Sequence, residues 1–419
     1  MKLYRSNVVC IWIGLIYFFS QQGFYLFAES PIFKAGTGIL ILLFILYVRK
    51  ICLRVDKWSL LMFCPIIISL IASIVEKYYF PDTQLINAFI QQAQWWMFGL
   101  LYFPLDSCLA QEVVSTEQLK KTVMTVGVIQ LLIGITQYFL TDYYIFVHVT
   151  INSRYNSPRY YYPIVLMVFT LFLALEKIIS SKEKNKVVYI IVFIMALFEI
   201  TVVQKYRATL IGVLISLFVF FYLWKQGIAK KILISIPCIA LFLIIATRGT
   251  IVQDTINSLL YNSDNSFGMR GTLIDFLVSN FKSSLAFGKG YVSSPNALSY
   301  AASAYRNKYS WDVFAFADGG IFSIAYSYGL LGVSWFACLW CVMIKNGKKI
   351  WNNTFDPIFI CFPLYMLSTI YIDIHWYIHM QFFSIALFCA IEKYELKLYD
   401  VGSDKDEKNG INKMEYSLK

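Results

Sequence analysis

Apolar residues gather along this chain into runs of membrane-spanning length, separated by short polar breaks. A helix crossing the hydrocarbon core needs roughly 20 apolar residues. The runs predict spans at 8–27, 35–48, 58–75, 85–105, 122–140, 160–176, 187–203, 208–224, 232–247, 319–343, 355–371 and 376–391. The pattern therefore predicts an all-α, polytopic integral membrane protein of about twelve transmembrane helices. The first run follows Lys2 and Arg5 without a clean small-residue cleavage site, so it reads as a span and not as a signal peptide.

Two segments depart from this rhythm. Residues 248–318 form a loop too long for a simple connection, and loops of such length are usually functional. Within it, "RGTLIDFLVSNF" (270–281) sets Leu273, Phe276, Leu277 and Phe281 on one helical face, which predicts an amphipathic helix lying on the membrane or lidding a cavity. "FGKGY" (287–291) then ends it with two glycines. The other departure is 393–419, polar and expected to be a disordered cytoplasmic tail. The chain thus divides into a membrane domain, 1–392, and a tail, 393–419. It has no internal repeat of the transporter kind.

Composition agrees: 58% hydrophobic and 15% charged residues exclude a set of soluble modules. The net charge of +11 comes mainly from lysine-rich loops such as "RKICLRVDK", "KIISSKEKNK", "KQGIAKK" and "KNGKK". These all fall on one side of the predicted bundle. The positive-inside rule makes that side cytoplasmic, with both termini there and 248–318 outside. The charge is membrane bias and does not argue for nucleic acid. Cysteines lie in spans or on the lysine-rich side, so no disulfide framework is implied. Cys338 and Cys341 are one helical turn apart and read as packing.

The arginines run against the bias. Arg154, Arg159, Arg207, Arg248, Arg270 and Arg306 all fall outside. Arginine holds phosphate with a bidentate fork and keeps its charge in a partly dry site, so a phosphate-bearing substrate at the outer leaflet would explain them. Snorkelling to lipid phosphates, or solvation of the loop, is the plainer alternative. The tight hairpin "QKYR" (204–207) holds Lys205, Tyr206 and Arg207 at the membrane lip. Glu199 sits in the preceding span, where an ionisable residue is a functional candidate; a stabilising Glu199–Arg207 ion pair is the alternative. "NSRYNSPRYYYP" (152–163) joins Arg154 and Arg159 to tyrosines that would stack on sugars or form an aromatic belt. His375 and His379 in "DIHWYIH" have i, i+4 spacing. They lack a good third ligand, so the expectation is hydrogen bonding at the rim and no metal.

Three stretches carry a resemblance: "QKYRATLIGVLIS", "RGTLIDFLVSNFKSSLAFGKGY" and "ADGGIFSIAYSYGLLG". Together with the overall architecture they resemble the O-antigen polymerase and ligase superfamily of bacterial envelope glycan assembly, in particular Wzy-type polysaccharide repeat-unit polymerases. The ligase branch has a His followed by Asn at the head of the third stretch. Here the positions read Asp318 and Gly319, which favours a polymerase and leaves no histidine at that position to carry over as a base.

The resemblance implies a glycosyltransferase at the outer face of the bacterial cytoplasmic membrane, joining oligosaccharide repeat units carried on undecaprenyl diphosphate into O-antigen, capsule or exopolysaccharide. It implies no cofactor and a metal-independent reaction. Its expected partners are the lipid-linked oligosaccharide, the bilayer, a flippase and a chain-length regulator. Arg207 and Arg270 would steady the departing diphosphate, and Asp318 would be the general base. Asp318 as the N-cap of the following span is the plainer reading, and the two roles are compatible. Arg154, Arg159, Glu199, Lys205 and Tyr206 are the expected substrate-binding residues. The rivals are an O-antigen ligase and, of another class, a flippase or transporter for lipid-linked sugar.

Overall fold

A computed structural model describes residues 2–20, 31–48, 55–144, 150–154, 157–161, 164–180, 185–204, 207–224, 266–292, 301, 303, 305, 319–354, 356–370 and 381–398. The described helices are α1 (Lys2–Ser20), α2 (Pro31–Val48), α3 (Lys57–Tyr79), α4 (Leu85–Gln91), α5 (Ala93–Ala110), α6 (Thr116–Leu140), α7 (Val165–Ile179), α8 (Lys186–Phe198), α9 (Arg207–Leu223), α10 (Ser266–Lys282), α11 (Ile321–Thr354) and α12 (Ile358–Ser368). Helix α13 covers 381–398. A π-helical turn, Glu199–Gln204, continues α8, and strands β1 (Thr150–Arg154) and β2 (Ser157–Tyr161) form one hairpin before α7.

Helices overlie most of the described part of the expected spans; 232–247, and the stretches 21–27 and 376–380 of two others, lie outside the described residues. Among the described residues four helices are long and apolar enough to cross a membrane: α3, α6, α8 with its π turn, and α11. Shorter apolar helices lie in α1, α2, α9 and α12. Large apolar side chains such as Leu42, Leu46, Leu60, Ile74, Leu132 and Phe218 stand exposed on the bundle, as on a surface that meets lipid. The chain has the architecture of a multi-pass membrane protein.

The bundle has two ends, defined by what meets there. At one, Lys120 of α6 pairs with Glu117 (3.7 Å), Glu176 of α7 (3.5 Å), Glu395 of α13 (3.4 Å) and Asp356 between α11 and α12 (4.0 Å). Lys393 of α13 pairs there with Asp56 ahead of α3 (2.6 Å) and with Asp106 of α5 (2.5 Å). This is the lysine-rich end. At the opposite end stand the β hairpin, the π turn and the start of α13, whose Gln381 bonds the start of α7. Between the ends, glycine lets helices approach closely. A side chain at Gly99 would overlap the Met62 carbonyl of α3, and one at Gly127 would overlap Thr170 of α7. Such contacts draw membrane helices together where the hydrophobic effect does not. Polar bonds fix the register: Tyr17 donates to Gln130, and Trp335 Nε1 to the Leu61 carbonyl (2.8 Å). Each contributes on average about 0.6 kcal/mol in such a bundle.

Three expectations need amendment. The sixth span was expected from residue 160, but α7 begins at Val165, because Tyr160 and Tyr161 belong to β2. The all-α expectation misses this hairpin. The polar tail was expected from 393, but α13 runs to 398 and buries Lys393 and Glu395 in the ion pairs above.

Candidate functional site

The hairpin end brings together the segments bearing part of the expected site: Arg154, Arg159, Glu199 and Arg207. The hairpin register pairs Asn152 with Arg159 and Arg154 with Ser157, so the two arginines hold positions of like parity on adjacent strands. Strand β2 packs against the π turn, which also touches α6 and α9. Helix α9 begins at Arg207, directly beyond that turn. Backbone segments carrying Arg154, Arg159, Glu199 and Arg207 are therefore brought to one corner. The arginine side chains lie outside the described residues, as do Lys205 and Tyr206.

Local sequence explains the widened turn. "EITVVQ" is rich in β-branched residues, which crowd a regular helix. Thr201 Oγ1 donates back to the carbonyl of Leu197 (2.7 Å), a bond that competes with the helix ladder and loosens it. π turns inside helices recur at functional positions. The turn fully buries Glu199, and among the described residues neither carboxylate oxygen has a hydrogen-bond partner within reach. Gln204, at the far end of the turn, is its near polar neighbour. Gln204 Nε2 itself lies 3.7 Å from the sulfur of Met167 in α7.

The second cluster is built on α10. As expected, Leu273, Phe276 and Leu277 are buried together; their partners are Val292, Ala301, Tyr305 and Tyr326. Phe281, expected on the same face, is only half-buried. The helix carrying Arg270 thus packs on the first turns of α11. The Arg270 side chain and the whole of Asp318 lie outside the described residues. Gly319, the next residue along, is buried against α10: a side chain there would overlap Leu277 and Ser323.

The end of α12 lies between the two clusters. A side chain at Gly212 of α9 would press on Ser368 and Thr369 of α12, and the amide of Ile321 donates to the Ile370 carbonyl at 2.9 Å. Helix α9, headed by Arg207, and the start of α11 beyond Gly319 thus meet at the same end of α12.

Several residues here carried no signal in the apolar pattern. Glu76 is fully buried near the end of α3, one residue beyond the expected span. Burial above all, and then the nearby Glu76, push the Tyr291 hydroxyl up to about 12. Ser69, Ser73 and Glu76 form a polar row on α3. Gln92 Nε2 joins that row at Ser73 Oγ (3.2 Å), and Tyr328 donates to Gln92 Oε1 (3.1 Å). An i, i+4, i+7 polar row in an apolar helix was the available clue. A cavity of about 550 Å³ lined by Ser6, Glu112, Ser115, Tyr394 and Leu398 opens at the lysine-rich end, away from the arginines.

Among the described residues no group of three or more His, Cys, Asp or Glu side chains is placed to hold a metal ion. His148, His375 and His379 lie outside them. No known protein-family model matches the chain, and no curated protein matches it significantly.

Proposed function

We propose that this protein polymerises undecaprenyl-diphosphate-linked oligosaccharide repeat units at the outer face of the cytoplasmic membrane. The proposal includes about twelve crossings with the lysine-rich end in the cytoplasm, following the positive-inside rule. The observation that carries it is the assembly of the hairpin end. There the segments bearing Arg154, Arg159 and Arg207 meet at a π turn with a buried carboxylate, and the helix bearing Arg270 docks beside Gly319. Arginine-bearing segments on the side where the bias disfavours cations suit an anionic substrate held outside.

In the proposed reaction a hydroxyl oxygen of the acceptor attacks the anomeric carbon of the donor. The bond from that carbon to the diphosphate oxygen breaks, and its electron pair leaves with undecaprenyl diphosphate. The hydroxyl proton passes to Asp318. Arg207 and Arg270 oppose the charge that grows on the leaving group, where preorganised cations are most effective. Gly319 and Gly320 bring no side chain of their own to the space beside Asp318.

One observation favours the transporter reading. Helix α11 is broken at Gly329, and discontinuous membrane helices recur in transporters. Purified protein in proteoliposomes with lipid-linked repeat units separates the two. A ladder of chain lengths on a gel supports polymerisation. Units moved across the bilayer without a ladder would overturn it. A lipid A-core acceptor added to the same vesicles tests the ligase: glycan transferred to it as single units, with no ladder, would point there.

A further inference from the structure

Between α10 and α11 the chain makes a turn that the arginine corner does not use. Gly288 (φ 71°) and Gly290 (φ 89°) flank Lys289 in left-handed backbone. The Lys289 amide donates to the Tyr326 carbonyl at 2.7 Å, and the Gly290 amide to that of Ser327 at 3.1 Å. In return, the amides of Leu330 and Leu331 donate to the carbonyls of Leu285 (2.8 Å) and Ala286 (3.3 Å). The turn thus supplies partners for backbone groups that the break at Gly329 leaves open, as a membrane interior demands. On its other side Gly290 lies so close to α3 that a side chain would overlap the Glu76 backbone. Lys289 is held rigidly between two helices.

Among the described residues its side chain meets a ring and no anion. The ammonium sits 4.1 Å from the centre of the Tyr79 ring, and among the described residues no carboxylate pairs with it. A ring face is a weaker partner than a phosphate oxygen, to which charge-assisted hydrogen bonds form. A half-buried cation on a fixed backbone, resting on an aromatic face, is ready to transfer to an anion. Loops that present side chains from a rigid scaffold commonly carry function.

We propose that Lys289 is an anion-binding residue of the hairpin end, moving from Tyr79 onto a phosphate oxygen of a phosphate-bearing lipid. This rests on the reading of that end as the outward, substrate-facing one. The diphosphate of the glycan carrier is the favoured source, because the turn continues directly from the helix that carries Arg270.

The test is equilibrium binding of undecaprenyl diphosphate to the full chain in phosphatidylcholine nanodiscs. Lys289→Met should bind about tenfold more weakly, the scale of one lost hydrogen bond to a charged group. Lys289→Arg should stay near wild type. Tyr79→Leu, which removes the resting place and keeps the cation, should bind as tightly as wild type or tighter. Phosphatidylglycerol nanodiscs form the second arm. Weaker retention of that headgroup by the methionine variant, with diphosphate binding unchanged, assigns the site to a lipid headgroup and overturns the carrier assignment. Equal binding by Lys289→Met and wild type in both arms overturns the proposal, as does a loss in Tyr79→Leu matching that in Lys289→Met. Slow hydrogen exchange at Leu330 and Leu331 in each variant shows that the turn is intact. Binding is read without polymerisation. Binding through Lys289 with no ladder refutes the polymerase reading alone, and ladders with unaltered binding in Lys289→Met refute this inference alone.

Discussion

Gln381 Oε1 accepts two hydrogen bonds at once, from the amide of Ile164 at 2.8 Å and from that of Val165 at 2.6 Å. Helix α7 has no local cap, because Ile164 offers no polar side chain. A distant glutamine on α13 fills that role. Gln381→Leu should leave two buried amides unsatisfied and destabilise by about 1–3 kcal/mol. Gln381→Glu keeps an acceptor and should lose less. Thermal unfolding in detergent micelles measures both, and equal midpoints for Gln381→Leu and wild type would refute the cap.

Gly329 tolerates no side chain. Its φ is 63°, and a Cβ would press into the backbone of Ala286 and Phe287. With ψ at -155° the backbone lies in a region open essentially to glycine alone, which costs other residues about 1–3 kcal/mol. Gly329→Ala should give no monodisperse protein on size exclusion. Gly271→Ala, in open space on α10, should be neutral or stabilising by up to about 1 kcal/mol.

Asp56 makes the lysine-rich end sensitive to acid. Burial raises its carboxyl. The hydrogen bond from Lys393, the Ser59 amide and the Lys393 charge outweigh that and hold it below the usual carboxylate range. A depressed carboxyl stabilises the fold above the unfolded value of about 3.9 and loses that contribution as pH falls through the lower folded value. Asp56→Asn should lower the melting midpoint at pH 7 and weaken its further fall in acid below about pH 4. An acid limb identical to wild type would remove the assignment.

For the proposed chemistry, Arg207→Ala and Arg270→Ala should each abolish chain extension while membrane insertion is kept. Arg→Lys should rescue poorly at either position, since a point charge does not reproduce a planar fork. Normal polymer from both alanine variants would dismiss the diphosphate clamp.

Asp318→Asn tests the base. Helix α11 begins at Ile321, so Gly320 and not Asp318 flanks its start, and the nearly isosteric asparagine should leave expression unchanged. Extension should fall roughly 10²–10⁴-fold if the carboxylate takes the proton. Full-length polymer from this variant would dismiss Asp318 as the base and turn attention to Glu199.

Long apolar runs made the helices legible, because composition alone decides where a backbone can stay in lipid. The ends were harder to read. Glu76 and Lys77 look like the end of a span, yet α3 continues to Tyr79 because Glu76 is buried against the Gly290 turn. The hairpin was invisible to a search for apolar runs, being short, polar and interrupted by Pro158. Glu199 stood out as a charge in a span, but nothing local announced that its helix would widen there. The amphipathic face of α10 was readable from spacing. Its docking on Tyr326 was not, since that partner comes from a separate helix, α11. Lys120 and Glu395 are partners only through the fold. Arg207 and Arg270 are placed by backbone alone, and Asp318 lies outside the described residues.

The capping of α7 by α13 has a consequence for synthesis. Gln381 leaves the ribosome 217 residues after Ile164, about 10–45 s later at ordinary elongation rates. Through that interval the open end of α7 and the lysine on α6 wait without the partners α13 will bring. The nascent bundle must be shielded by lipid, water or the insertion machinery. A chain stopped before residue 381 would carry those open groups permanently, a defect that membrane quality control can sense.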